Sequence, residues 1–178
     1  PAVFVANHMS TTETFILPMM IQPYSTATFV IKPSLMDYPV FGPVMRSRNP
    51  IVVSRDNPRK DLVTVLEEGQ KRLADGSSVV LFPQTTRTST FDPNAFNSLG
   101  AKLAGRAGVP LIPVALKTDA WANGTLLKDF GPIHPDRTVH VAFGEPLTVA
   151  GNGKNEHETT VRFIADHLQR WIEQSAER

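Results

Sequence analysis

Short, continuous apolar runs punctuate the chain, separated by stretches in which apolar positions recur at helical spacing. The β-rich runs are "VFVA" (3–6), "ATFVIK" (27–32), "PIVVSR" (50–55), "SVVLFP" (78–83), "LIPVALK" (111–117) and "VHVAFG" (139–144). Continuous rather than alternating runs suit strands buried on both faces of a sheet. Between them lies a clear helix over 58–74, with Asn57 as its cap, Pro58 at the first position and Gly76 beyond its end. Val63, Leu66 and Leu73 form its apolar stripe. A second helix near 96–107 carries Leu99, Leu103 and Ala107, and a last one over about 156–174 carries Val161, Ile164, Leu168, Trp171 and Ile172. Strand and helix alternating in this way predict a single α/β domain with a mainly parallel central sheet flanked by helices. The segment 119–138 is the least regular and reads as a long surface excursion, and "GNGKNE" (151–156) reads as a loop.

Composition narrows the function classes. With 178 residues, 18 basic and 17 acidic side chains, the chain is long enough for one sizeable core and carries no charge block suited to nucleic acid. It has no cysteine, which excludes disulfides, thiol nucleophiles and cysteine-zinc sites. The five histidines show no HExxH-like spacing, so no metal or other cofactor is expected. The longest apolar run, "FILPMMI" (15–21), contains Pro18 and falls well short of the roughly 20 residues a spanning helix needs. No signal peptide is expected from the runs present. The chain opens directly into the approach to a strand, and a preceding N-terminal portion that associates with membrane is expected.

Candidate chemistry sits where strands end. "NHMSTTE" (7–13) follows the first apolar run and admits two readings. Ser10-Thr11-Thr12-Glu13 matches the capping box, in which Ser10 caps a helix and Glu13 reaches back to its backbone N–H. Alternatively, a turn at Ser10 brings His8 and Glu13 together, with Glu13 orienting one imidazole nitrogen and freeing the other as a general base. "LFPQTTRTST" (81–90) delivers Gln84, Thr85, Thr86 and Arg87 from another buried strand. Arg87 offers a planar fork for phosphate or carboxylate, or else is a surface residue of a solvated turn. Arg55, beyond a third strand, is a second anion ligand or an exposed residue ahead of a helix. "GVPLIPVAL" (108–116) has no titratable group and reads as packing.

Taken together, these stretches resemble the four ordered blocks of the glycerolipid acyltransferases of the lysophosphatidic acid acyltransferase type. The first block, N-H followed by four residues and Asp, is met by Asn7, His8 and Glu13. The second, an apolar strand ending in Arg, is met by "IVVSR" through Arg55, with "YPVFGPVMR" (38–46) before it. The third, F-P-E-G-T-R, is met by Phe82, Pro83, Gln84, Thr85, Thr86 and Arg87, and the fourth by Val109 to Val114. The likeness runs from residue 2 to about 148. Four positions depart from the pattern: Glu13 stands for Asp, Gln84 for Glu, Thr85 for Gly, and Asn97 where a Lys often follows the phenylalanine.

The resemblance implies an O-acyltransferase that moves a fatty acyl group from acyl-CoA or acyl-carrier protein, as co-substrate, to a lysophospholipid hydroxyl. It implies His8 as base with Glu13 as its orienter. It further implies that Arg87, supported by Arg55, binds the acceptor phosphate, with Gln84, Thr85 and Thr86 lining the acceptor site. The enzyme is expected at the cytoplasmic face of a membrane by peripheral contact. Other outcomes left open are a lipid-binding module that has lost its chemistry and an acyl thioesterase. A serine-nucleophile hydrolase is excluded by the lack of G-x-S-x-G. The apolar residues Phe15, Ile16, Leu17, Met19, Met20 and Ile21 read chiefly as a core stripe, with an acyl groove or a membrane contact as the other reading.

Overall fold

The computed structural model describes residues 1–38, 41–84, 86–124 and 131–176. Six strands form one sheet: β1 (Val3–Ala6), β2 (Ala27–Ile31), β3 (Ile51–Val52), β4 (Ser78–Leu81), β5 (Leu111–Lys117) and β6 (His140–Phe143). Their order is β3-β2-β4-β1-β5-β6. The first five in this order run parallel, and β6 closes the edge antiparallel to β5. Parallel neighbours need crossovers, and each is a helix. These are α1 (Glu13–Ile21), α2 (Phe41–Ser47), α3 (Pro58–Ala74) and α4 (Leu99–Ala107), with α5 (Lys154–Ala176) following β6.

Side-chain alternation along each strand divides the core into two layers. Val3 and Val5 of β1 and Val79 and Leu81 of β4 face α3, α4 and α5, where they meet Leu66, Leu103, Ile164 and Trp171. Phe4 and Ala6 of β1 and Val80 of β4 face the other way, onto Leu17 and Ile21 of α1 and Met45 of α2. The mainly parallel sheet expected from the apolar runs is therefore present, with both faces covered.

Several local expectations shift. β3 is two residues long, much shorter than 50–55. It pairs on one side only, with β2, and positive φ angles at Asn49 (48°) and Arg55 (65°) turn the chain away at both ends. The helix over 58–74 forms as expected, and the Asn57 side chain accepts from Lys60 N–H at 3.1 Å. Its inward stripe is Val65, Leu66, Gly69 and Leu73; Val63 is 51% exposed. In α5, Ile172 is likewise 59% exposed. The loop read over 151–156 ends early, because α5 begins at Lys154. The stripe of α1 splits, with Leu17 and Ile21 buried while Met19 and Met20 are 73% and 43% exposed.

The topology sets the site. The chain leaves β1 through α1 on one face of the sheet and leaves β4, its neighbour, through α4 on the other. Loops that part to opposite faces open a crevice at the carboxyl ends of the strands, where open α/β sheets bind ligands. The crevice wall depends on close packing behind it. A Cβ at Gly100 of α4 would run into Cγ2 of Val5, a buried, branched side chain of β1 with nowhere to move. Gly100→Ala is therefore expected to lose about 1–3 kcal/mol of stability, although alanine favours a helix; chemical denaturation of the two proteins measures it.

Candidate functional site

β1 ends at Ala6, and the next two residues carry the first polar groups. Asn7 is buried, and its amide closes a two-way bond with the backbone of Leu116 in β5: Nδ2 donates to the carbonyl at 2.7 Å and Oδ1 accepts from the N–H at 2.8 Å. This fixes the exit of β1 against the exit of β5. His8 follows, with its ring stacked on Phe82 at a centroid distance of 4.2 Å and an interplanar angle of 19°. Its side chain is 21% exposed, so one edge meets solvent.

The turn through Met9–Thr12 brings Glu13, the first residue of α1, back onto His8. Glu13 is fully buried, and its Oε2 pairs with His8 Nδ1. Oε1 accepts from Met9 N–H at 2.7 Å, Ser10 N–H at 3.1 Å and the Thr118 hydroxyl at 2.7 Å. One carboxylate oxygen thus makes the pair with His8, and the other makes the Glu13 side of the capping box. Only half the capping box forms, however. Thr12, not Ser10, is the residue before the helix, and Ser10 Oγ accepts from Thr12 N–H at 3.2 Å while donating to Thr118 at 2.9 Å. A carboxylate accepting from Nδ1–H selects the tautomer in which Nε2 carries the free lone pair.

The loop after β4 is laced to this turn. Gln84 is buried; its Oε1 accepts from His8 N–H at 2.9 Å and its Nε2 donates to Thr88 Oγ1 at 2.6 Å. Thr88 N–H donates to the His8 carbonyl at 3.0 Å. Arg87 Nη1 donates to Thr11 Oγ1, which holds the half-buried guanidinium beside the dyad turn. Thr86 is exposed at the rim, and Thr85 lies outside the described residues. Asn97, where the pattern often has Lys, donates to the Pro83 carbonyl at 2.6 Å and ties the loop down from behind.

Arg55 stands on the same edge of the sheet but at β3, with β2 and β4 between it and β1. Three strand spacings place its backbone roughly 14 Å from β1. Its N–H donates to Asp61 Oδ2 at 2.8 Å, which supports its left-handed backbone. Desolvation lowers its pKa and the Asp61 carboxylate opposes that; the guanidinium stays charged at neutral pH.

Sequence reasoning left Thr118 and the bracing geometry of Asn7 unassigned. Thr118 lies one residue past a strand read only as packing. Only the pairing of β5 with β1 shows that it lands beneath Glu13. The irregular segment also contributes, since Asn123 Nδ2 donates to the Met9 carbonyl at 2.9 Å. Among the described residues, no cluster of His, Asp and Glu is grouped to hold a metal ion.

Three comparisons place this geometry among known proteins. The family model described as Acyltransferase matches residues 1–117. A 1-acyl-sn-glycerol-3-phosphate acyltransferase of Pseudomonas aeruginosa is 30% identical over 179 residues, covering 98% of this chain and 63% of the relative. A lyso-ornithine lipid O-acyltransferase of Rhizobium meliloti is 32% identical over 118 residues, covering 65% of this chain and 38% of the relative. The chain thus spans less than two thirds of the length of either. The crystal structure of the Thermotoga maritima 1-acyl-sn-glycerophosphate acyltransferase PlsC superposes with a TM-score of 0.66, at 22% identity, over 99% of this chain and 67% of that one.

The bonding around Gln84 explains why an amide stands there. Thr88 gives its one hydroxyl proton to the Thr90 carbonyl at 2.6 Å, so it must receive a proton from position 84, which must also accept from His8 N–H. At neutral pH an amide offers both groups, whereas an ionised carboxylate only accepts. Gln84→Glu is expected to cost about 1–3 kcal/mol at neutral pH by leaving a buried acceptor facing an acceptor. A protonated carboxyl restores the donor, so the deficit is absent at low pH and grows as pH rises through the carboxylate range. Denaturation curves of the variant and parent across that range check it.

Proposed function

Since the chain belongs to the acyltransferase family, we propose that it transfers a fatty acyl group from the thioester of acyl-CoA or acyl-carrier protein to the hydroxyl of a lysophospholipid. The observation that carries this reading is the His8–Glu13 pair, with the ring partly exposed, its Nδ1 on the carboxylate and Arg87 held beside it. Nε2 takes the proton of the acceptor hydroxyl as that oxygen attacks the thioester carbonyl. The tetrahedral intermediate then collapses; the C–O bond is kept, the C–S bond breaks, and the imidazolium returns the proton to the leaving thiolate. Glu13 stabilises the imidazolium and holds the ring, while stacking on Phe82 fixes its plane. Arg87 binds the acceptor's anionic headgroup, with Thr86 exposed at the same turn. Arg55, with a side chain reaching from β3, meets a headgroup that extends along the strand ends.

The relatives support two acceptor classes, because one is named for a 1-acylglycerol 3-phosphate and the other for a lyso-ornithine lipid. The fixed guanidinium favours the phosphate. No helix among the described residues is long and apolar enough to cross a membrane. The contact of this domain with lipid that we propose is peripheral, at the cytoplasmic face, through the exposed side of α1. There Phe15 and Met19 line a groove of about 150 Å³ that reaches Val44 and Arg48 near α2, and Met20 is exposed on the same helix. Apolar side chains beside a cation suit an anionic lipid surface.

Free-thiol release from acyl-CoA, with and without each lysolipid, tests the chemistry. Acceptor-dependent release is expected, and His8→Ala should lower it about 100- to 10,000-fold while leaving the protein folded. Glu13→Gln should cost less than His8→Ala, and Arg87→Ala should raise the acceptor KM more than it lowers kcat. Release without acceptor would identify a thioesterase, and no release from the folded protein would identify a lipid-binding module. For the membrane contact, replacing Met19 and Met20 together by Asp should weaken co-sedimentation with anionic vesicles by about tenfold or more, with turnover of a detergent-dispersed acceptor preserved.

A further inference from the structure

Thr118 is fully buried one residue beyond β5, 105 positions from Glu13 in the chain, yet its hydroxyl meets the Glu13 carboxylate. The direction of every proton around it is determined. A carboxylate accepting from backbone N–H groups and an imidazole receives the single Thr118 proton on Oε1, at 2.7 Å. The Thr118 oxygen then accepts from Ser10 Oγ at 2.9 Å, and Ser10 Oγ accepts from Thr12 N–H at 3.2 Å. Three donors in series therefore point at one carboxylate oxygen, and each bond polarises the next.

The longer acid adds one staggered torsion to the carboxylate rotation that aspartate also has. The terminal torsion of a glutamate is broad and roughly two-fold, so covalent geometry does not determine which oxygen faces His8. Three bonds to Oε1 do. Two come from Met9 and Ser10, in the same turn as His8, and they move with that turn. The third comes from the sheet. The Asn7–Leu116 clamp ties that end of the sheet to the start of the turn, so Thr118 is held in register with His8.

We infer that Thr118, backed by Ser10, is a positioning residue that locks the rotation of the Glu13 carboxylate and so fixes the His8 imidazole for proton transfer. This rests on His8 acting as the base. Thr118→Val keeps the shape and removes the hydroxyl, while Thr118→Ser keeps the hydroxyl. In acceptor-dependent thiol release, the valine variant should lose kcat by about 10- to 100-fold, as with other groups that orient an active histidine. KM for donor and acceptor should stay within about twofold of the parent, and serine should restore kcat to within about threefold.

A second readout does not depend on turnover: the downfield proton resonance of His8 Nδ1–H, assigned by its loss in His8→Ala. It should move upfield or broaden away in Thr118→Val and persist in Thr118→Ser. Should the valine variant fail to fold, Ser10→Ala, which breaks the chain one step further back, should give the same changes in smaller measure. Unchanged kcat and an unchanged resonance in a folded Thr118→Val protein would overturn the inference. So would equal losses in the valine and serine variants, because packing would then be the cause. Absence of turnover in the parent with a resonance that still depends on Thr118 would reject acyl transfer and leave the positioning role standing.

Discussion

A carboxylate sealed from solvent must have its lone pairs met by protein donors, since an unpaired buried charge costs several kcal/mol. Glu13 is that carboxylate, and four donors from two separate parts of the chain meet it: His8, Met9 and Ser10 from one turn, and Thr118 from the end of β5. Satisfying the charge requires the turn after β1 to fold back in one way only. That same fold places His8 Nδ1 on the carboxylate, which leaves the lone pair on Nε2. The electrostatic requirement of the interior and the geometric requirement of a general base are therefore met by one set of bonds, each of the charge-assisted kind worth about 1.5–3 kcal/mol.

The sheet makes this possible by strand order. β1 sits between β4 and β5, the two strands whose loops supply Gln84 and Thr118. Because parallel strands present their carboxyl ends together, three loops far apart in sequence converge on one edge. The helices that follow β1 and β4 depart to opposite faces, which keeps the space between those loops open. Arg55 shares the edge but not the cluster, which is the consequence of β3 lying at the far side of β2.

What was legible in the sequence was local. The apolar runs marked all six strands because burial on both faces writes hydrophobicity into consecutive residues. Asn57-Pro58 marked the start of α3 because cap and first-turn chemistry act within a few residues. The His8–Glu13 pair was legible as one of two alternatives, since spacing alone does not say which way a turn closes. Long-range facts were not legible. Val63 and Ile172 carry the right period but lie at the margin of their helix stripes, and the neighbouring elements decide such positions. Thr118 has no local signal at all, because its partner is set by the register of β5 on β1. β3 is bounded by left-handed residues at Asn49 and Arg55; asparagine visits that region readily, but arginine gives no warning of it.

The departures from the family's usual blocks are better understood as a coupled set than as separate losses. An extra methylene at Glu13 adds a torsion between backbone and carboxylate, and the Thr118–Ser10 hydroxyls help to fix where the carboxylate ends. A neutral Gln84 is required once Thr88 has committed its proton to Thr90, and the amide then braces the backbone of the base itself. Asn97 secures the loop that carries Arg87 by bonding to Pro83. Glu13, Gln84 and Asn97 thus work on the position of His8 or Arg87. The free imidazole edge and the guanidinium are retained, and those are the groups that the proposed chemistry needs.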